Sequence, residues 1–121
     1  MVEFAKIYDR QEEFENMLIK KCNLFQTDLK SLSKKEKTTF SKELALLLHQ
    51  EISEFIDAVG NYKHHKTQED GKDTKEIKEE IADMFIFVLN MALTHNMSAE
   101  ELLQIVNKKQ DKNFERQNSG Y

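Results

Sequence analysis

The absence of proline constrains the fold most: none occurs in 121 residues, and glycine occurs only three times. Helices in such a chain are rarely interrupted. Apolar residues recur at helical spacing along four segments. The first covers roughly residues 3–27, with Phe4, Ile7, Phe14, Leu18 and Leu24 as inward candidates. The segment DLKSLSKKEK (28–37) reads as a polar connector. The second helix runs from about 39 to 60, with Ser41 or Thr39 placed to cap it and Gly60 to stop it. The polar stretch NYKHHKTQEDGK (61–72) is expected to form a loop. Asp73 with Glu76 has capping-box spacing and opens a third helix, to about residue 95; Ser98 with Glu101 repeats it and opens a fourth, to about 116. The run MFIFVLNMAL (84–93) also suits a buried strand by periodicity, but its length and helical flanks favour a helix. The expectation is one all-α domain over residues 1–121, a four-helix bundle with short connections. The third helix is apolar on more than one face, which leaves a surface for a second subunit and predicts a homo-oligomer, dimer or tetramer.

A net charge of -4 argues against general attraction to nucleic acid or an anionic membrane. No apolar run approaches the roughly 18 residues of a membrane span. The N-terminus, MVEFAKIYDRQEEFE, lacks the apolar stretch of a signal peptide. Cys22 is the single cysteine, which fits a reducing cytoplasm and predicts an inert core thiol.

Two segments set carboxylates among apolar residues: LHQEISEFIDAV (48–59) and IKEEIADMFIFV (77–88). Residues three, four and seven apart share a helix face. That spacing places Glu51 and Glu54 with Leu44 and Leu47, and Glu80 with Ile77, Met84 and Phe87. Asp83 lies beside Phe87 and Asn90. All four carboxylates are therefore expected on or at the edge of inward faces. Unpaired buried carboxylates cost several kcal/mol each, and few basic residues share these faces. A divalent cation is the better compensation, and magnesium prefers such oxygen ligands. Glu76 and Glu79 form a competing pair, but they flank Lys75 and Lys78 in a more polar stretch. Near the C-terminus, Lys109, Lys112 or Asn113, and Arg116 share a helix face. Cations there suit the helix dipole; beside an acidic metal site they also suit a polyphosphate.

With ExxE at 51-EISE-54 and ExxD at 80-EIAD-83, the chain resembles the all-α nucleoside triphosphate pyrophosphohydrolases, which include MazG-like proteins and dimeric dUTPases. Three features lean towards the dimeric dUTPase branch: RQEEFE (10–15), YKHHK (62–66) and the ending RQNSGY (116–121) with Lys109 and Asn113 before it. His65 stands where that branch usually has Trp, and Ile86 where a His often follows the ExxD. The resemblance implies a MazG-like, dimeric dUTPase-like fold. It implies that Glu51, Glu54, Glu80 and Asp83 hold two or three magnesium ions, with manganese as a substitute. It further implies hydrolysis of a nucleoside triphosphate, dUTP foremost, to the monophosphate and diphosphate, with Glu51 or Glu54 accepting the water's proton. Lys109, Asn113, Arg116 and Lys63 are then phosphate ligands, Gln11 a base ligand and Tyr121 a cover for the site.

The chain is shorter than most of that branch, so a MazG-like pyrophosphatase acting on other nucleotides is the alternative. A non-catalytic helical interaction module is the alternative of another class. His64 and His65 lack a third zinc ligand nearby and read as loop residues, and Tyr62 as a loop-packing aromatic. His49 and His95 read as packing or solvated residues, and Phe85, Phe87, Met84 and Met91 as core. Asn90 stays open between an amide that hydrogen-bonds a metal-binding carboxylate and a satisfied core amide.

Overall fold

Among the described residues four α-helices form, and how each one ends explains most of the difference from the sequence-based boundaries. The computed structural model describes residues 2–60 and 74–120. The helices are α1 (Val2–Lys21), α2 (Lys34–Val59), α3 (Thr74–Thr94) and α4 (Ala99–Asn118), with a 3-10 turn at Leu29–Ser31. The described residues contain no strand.

Helix α1 stops well before residue 27 because Asn23 turns left-handed, with φ 54°. The Leu24 N–H then donates back to the Ile19 carbonyl at 3.0 Å, closing the helix end. Asn96 does the same after α3, with φ 57° and Met97 N–H donating to the Ala92 carbonyl at 3.1 Å. Asparagine thus serves where glycine is the usual residue. Gly60 ends α2 as expected, at φ 76°.

Helix α2 begins five residues earlier than the sequence reading placed it. Ser33, rather than Ser41 or Thr39, is its cap: Ser33 Oγ accepts from Glu36 N–H at 3.1 Å, and Glu36 Oε1 accepts from Ser33 N–H at 2.8 Å. The connector 28–37 is not simply polar either. Leu29 and Leu32 are plugs for the core, 1% and 6% exposed. The Leu29 N–H donates to Asn16 Oδ1 at 2.8 Å, which satisfies the backbone of the buried turn. At the start of α4, Ser98 accepts from Glu101 N–H at 3.0 Å, as the spacing predicted. Asp73, assigned as the cap of α3, lies outside the described residues.

Helices α2 and α3 pack most extensively. Ser41 pairs with His95 across them, and Glu51 approaches Glu80, so they run antiparallel. Helix α1 packs on α3, and α4 on α1. The core joins Tyr8 and Ile19 of α1, Leu29, Leu32, Phe40 and Leu44, and Leu89, Ala92 and Leu93 of α3. Phe25 meets Phe40 edge-on at 5.5 Å. Each fully buried leucine of this set stabilises the fold by about 2 kcal/mol.

The core therefore lies towards the start of α2 and the end of α3. It uses a stripe of α1 one position round from the expected one. Tyr8, Glu15 and Ile19 are buried, whereas Ile7, Phe14 and Leu24 are 52%, 49% and 49% exposed. Both stripes carry apolar residues, so periodicity alone did not separate them. Cys22, expected in the core, is exposed at the end of α1. Among the described residues no helix is long and apolar enough to cross a membrane.

Candidate functional site

The carboxylates occupy the end of the α2–α3 hairpin away from the core. Glu51 and Glu54 sit one turn apart on α2, as do Glu80 and Asp83 on α3. Oxygens of Glu51, Glu54 and Glu80 all lie within 4.8 Å of one another. Glu80 is the α3 residue that reaches the cluster, and Glu76 and Glu79 are exposed. The expectation of inward placement is met by Glu51 and Glu80, which are half-buried, but Glu54 and Asp83 are exposed in the single chain.

Glu51 is the residue under most electrostatic load. Its Oε2 is shielded from solvent and has no hydrogen-bond partner. Burial pushes its carboxyl up to about 7 from 4.5, with further upward push from a hydrogen bond and charge at Glu54, then from the charges of Asp83 and Glu80. Asp83 is near enough to act on Glu51 but stands outside the three-oxygen group. No cation of α4 figures among the influences on Glu51.

Lys109, Asn113 and Arg116 are exposed on α4, whose packing partner is α1 rather than the acidic hairpin. Lys63, Tyr62, His64, His65 and Tyr121 lie outside the described residues.

Gln11 lines a groove of about 480 Å³ with Arg10, Phe14, Met17 and Ile86. Its Nε2 donates to Asn90 Oδ1 at 2.8 Å, tying α1 to α3. Beneath them lies Glu15, 7% exposed. Burial raises the Glu15 pKa, and hydrogen bonds from Gln11 and Asn90 oppose the rise. Sequence reasoning included Glu15 in the RQEEFE resemblance but gave it no role. The available signal was its i, i+4 spacing from Gln11 on a face otherwise apolar. Asn90, left open by the sequence, is a buried and satisfied amide, 3% exposed.

Two antiparallel helices that bring Glu51, Glu54 and Glu80 to one oxygen-lined cluster define an all-α carboxylate-site protein. The dUTPase family model, dUTPase_2, matches residues 3–108. The chain belongs to this family of dUTPase-like, all-α nucleoside triphosphate pyrophosphohydrolases. It is 48% identical over 50 residues to the dCTP pyrophosphatase of Enterobacteria phage T4; that match covers 41% of this chain and 29% of the phage protein. No solved structure matches the chain.

Proposed function

We propose that this chain hydrolyses a pyrimidine deoxynucleoside triphosphate, dUTP foremost, to the monophosphate and diphosphate. The observation that carries the reading is the Glu51–Glu54–Glu80 cluster, whose oxygens converge from two helices. Its donor set is all hard oxygen, and the orphaned Glu51 Oε2 lacks the partner that an ion supplies. The residues therefore suit magnesium, with manganese as a substitute. Glu51, Glu54, Glu80 and Asp83 are its ligands in this reading. Such an ion supplies neutralisation of the triphosphate and acidification of a nearby water.

The chain's own groups do the rest. Glu51 or Glu54 accepts the proton of the attacking water. The water oxygen bonds to the α-phosphorus as the bond from α-phosphorus to its bridging oxygen breaks, and diphosphate leaves with that electron pair. Lys109, Asn113, Arg116 and Lys63 contact phosphate oxygens, and Tyr121 covers the site. Gln11 reads the base from the α1 groove. Asn90 lies seven residues along α3 from Asp83, about 10 Å of helix, which separates a base site from a phosphate site on one stripe.

A second copy of the chain completes the assembly. The single chain exposes 9361 Å², against about 6,800 Å² for an average monomer of its mass. Ile52, Ile56 and Val59 form one apolar stripe of α2, and Ile81, Phe85 and Val88 form one of α3, all 38–49% exposed. Both flank the carboxylates, whose negative charge complements the cationic face of α4. Such stripes are the surface a subunit interface needs.

The test is diphosphate release from a panel of NTPs and dNTPs, with magnesium and with EDTA, beside a Glu54→Gln variant. Magnesium-dependent hydrolysis that favours dUTP and is lost in the variant is expected. Preference for dCTP, the substrate in the phage relative's name, or for other nucleotides keeps the site and changes the substrate. No hydrolysis of any triphosphate refutes the reading and favours a non-catalytic helical module.

A further inference from the structure

Glu15 is a buried carboxylate that the hydrolytic step does not use. It faces inward on α1 between Tyr8 and Ile19 and is 7% exposed. Leucine or isoleucine at this place would pack without the cost of desolvating a charge, which is several kcal/mol unless hydrogen bonds offset it. The offset comes from two amides, Gln11 one turn earlier on α1 and Asn90 on α3.

The chemistry of this trio is directional. An ionised carboxylate only accepts, so each amide turns its NH2 end towards it. Gln11 Nε2 also donates to Asn90 Oδ1 at 2.8 Å. Both N–H groups of Gln11 are then committed inward, one to Asn90 and one to Glu15. What remains is Gln11 Oε1, the free end of a side chain that lines the α1 groove. An amide left to itself could present either end; this one presents an acceptor.

Resting on the proposed nucleotide hydrolysis, we infer that Glu15 is a positioning residue for base recognition. Its carboxylate holds the Gln11 amide with Oε1 outward, so the groove reads an N–H donor on the pyrimidine edge. Uracil and cytosine carry donors and acceptors in swapped order at their N3 and C4 positions, so an acceptor held opposite one of these positions meets a donor on one base and a lone pair on the other. An amide free to flip serves both.

The test compares kcat/KM for dUTP and dCTP in the wild-type protein, Glu15→Gln, Glu15→Asp and Gln11→Met, with thermal melts of each. The Glu15→Gln side chain can donate as well as accept, so it releases Gln11. The ratio between the favoured and the disfavoured nucleotide is expected to move towards unity by about tenfold, the scale of one hydrogen bond. Glu15→Asp keeps an acceptor-only group and is expected to keep the ratio, even with a lower melting temperature. Gln11→Met removes the acceptor together with the Gln11 bonds to Asn90 and Glu15, and is expected to level the same ratio. An unchanged ratio in Glu15→Gln, or in Gln11→Met should Glu15→Gln not fold, overturns the inference. So does an equal loss on both nucleotides, which is the mark of a carboxylate that only registers α1 on α3. Absence of hydrolysis by the wild-type protein is read separately, and it overturns the proposed function together with this inference.

Discussion

Replacing Glu51 with glutamine removes one charge from a crowded set of carboxylates and keeps the side chain's shape. In the folded chain the Glu51 carboxyl is raised to about 7 from the ordinary 4.5, chiefly by burial and then by Glu54, Asp83 and Glu80. The folded state thus binds this proton more tightly than the unfolded chain. Stability contributed by the protonated form is complete below pH ~4.5 and is lost as the pH rises through about 7. At about 1.4 kcal/mol per pKa unit the ceiling is roughly 3 kcal/mol. Solvent at the open edge of the site screens it to on the order of 1–2 kcal/mol. In EDTA, Glu51→Gln is therefore expected to melt about 3–6 °C above the wild type at pH 8, and level with it at pH 4.5. Thermal melts at half-unit pH steps measure this directly. Under the proposed magnesium site, in which Glu51 supplies a ligand oxygen, magnesium at pH 8 raises the wild type more than the variant. Parallel melting curves for the two proteins across pH 4.5–8 in EDTA refute the electrostatic reasoning.

Ser33→Ala removes the Ser33 Oγ bond of the α2 capping box, keeps the Ser33 N–H bond to Glu36, and is expected to cost about 1 kcal/mol in a urea melt, while Thr39→Ala costs little; the reverse order contradicts the α2 start. Leu89, wholly buried on α3, is expected to lose about 2–5 kcal/mol as Leu89→Ala, read by the same melt. Phe85→Glu places a charge on the exposed α3 stripe, 48% exposed in the single chain. It is expected to dissociate the proposed assembly in light scattering, and an unchanged mass at working concentration argues against an interface there.

Much of the fold was legible because it rests on local rules. The proline-free chain, the 3.6-residue apolar spacing and the Ser98 and Gly60 caps predicted four helices, and four form. The α2 start was legible too, in the S-x-x-E of Ser33 and Glu36. It was overlooked because three lysines and a glutamate gave the surrounding segment the look of a loop. The left-handed Asn23 and Asn96 carry weaker signals than glycine would, so the end of α1 was misplaced. The acidic pairs 51–54 and 80–83 were readable from spacing, since residues one turn apart share a face whatever they pack against.

What the sequence by itself determined was helix, helix face and acidic pairing, all consequences of backbone geometry within one segment. Which apolar stripe of α1 faces the core was decided only by tertiary packing, because Ile7 and Phe14 compete with Tyr8 and Ile19 on equal hydrophobic terms. Tertiary packing also decided that Asp83 stays outside the group of Glu51, Glu54 and Glu80, and that Glu15, Gln11 and Asn90 form one buried network across two helices. Such encounters depend on how far one helix slides and turns against another. Periodicity within a helix contains no information about that offset; the filling of the shared core sets it.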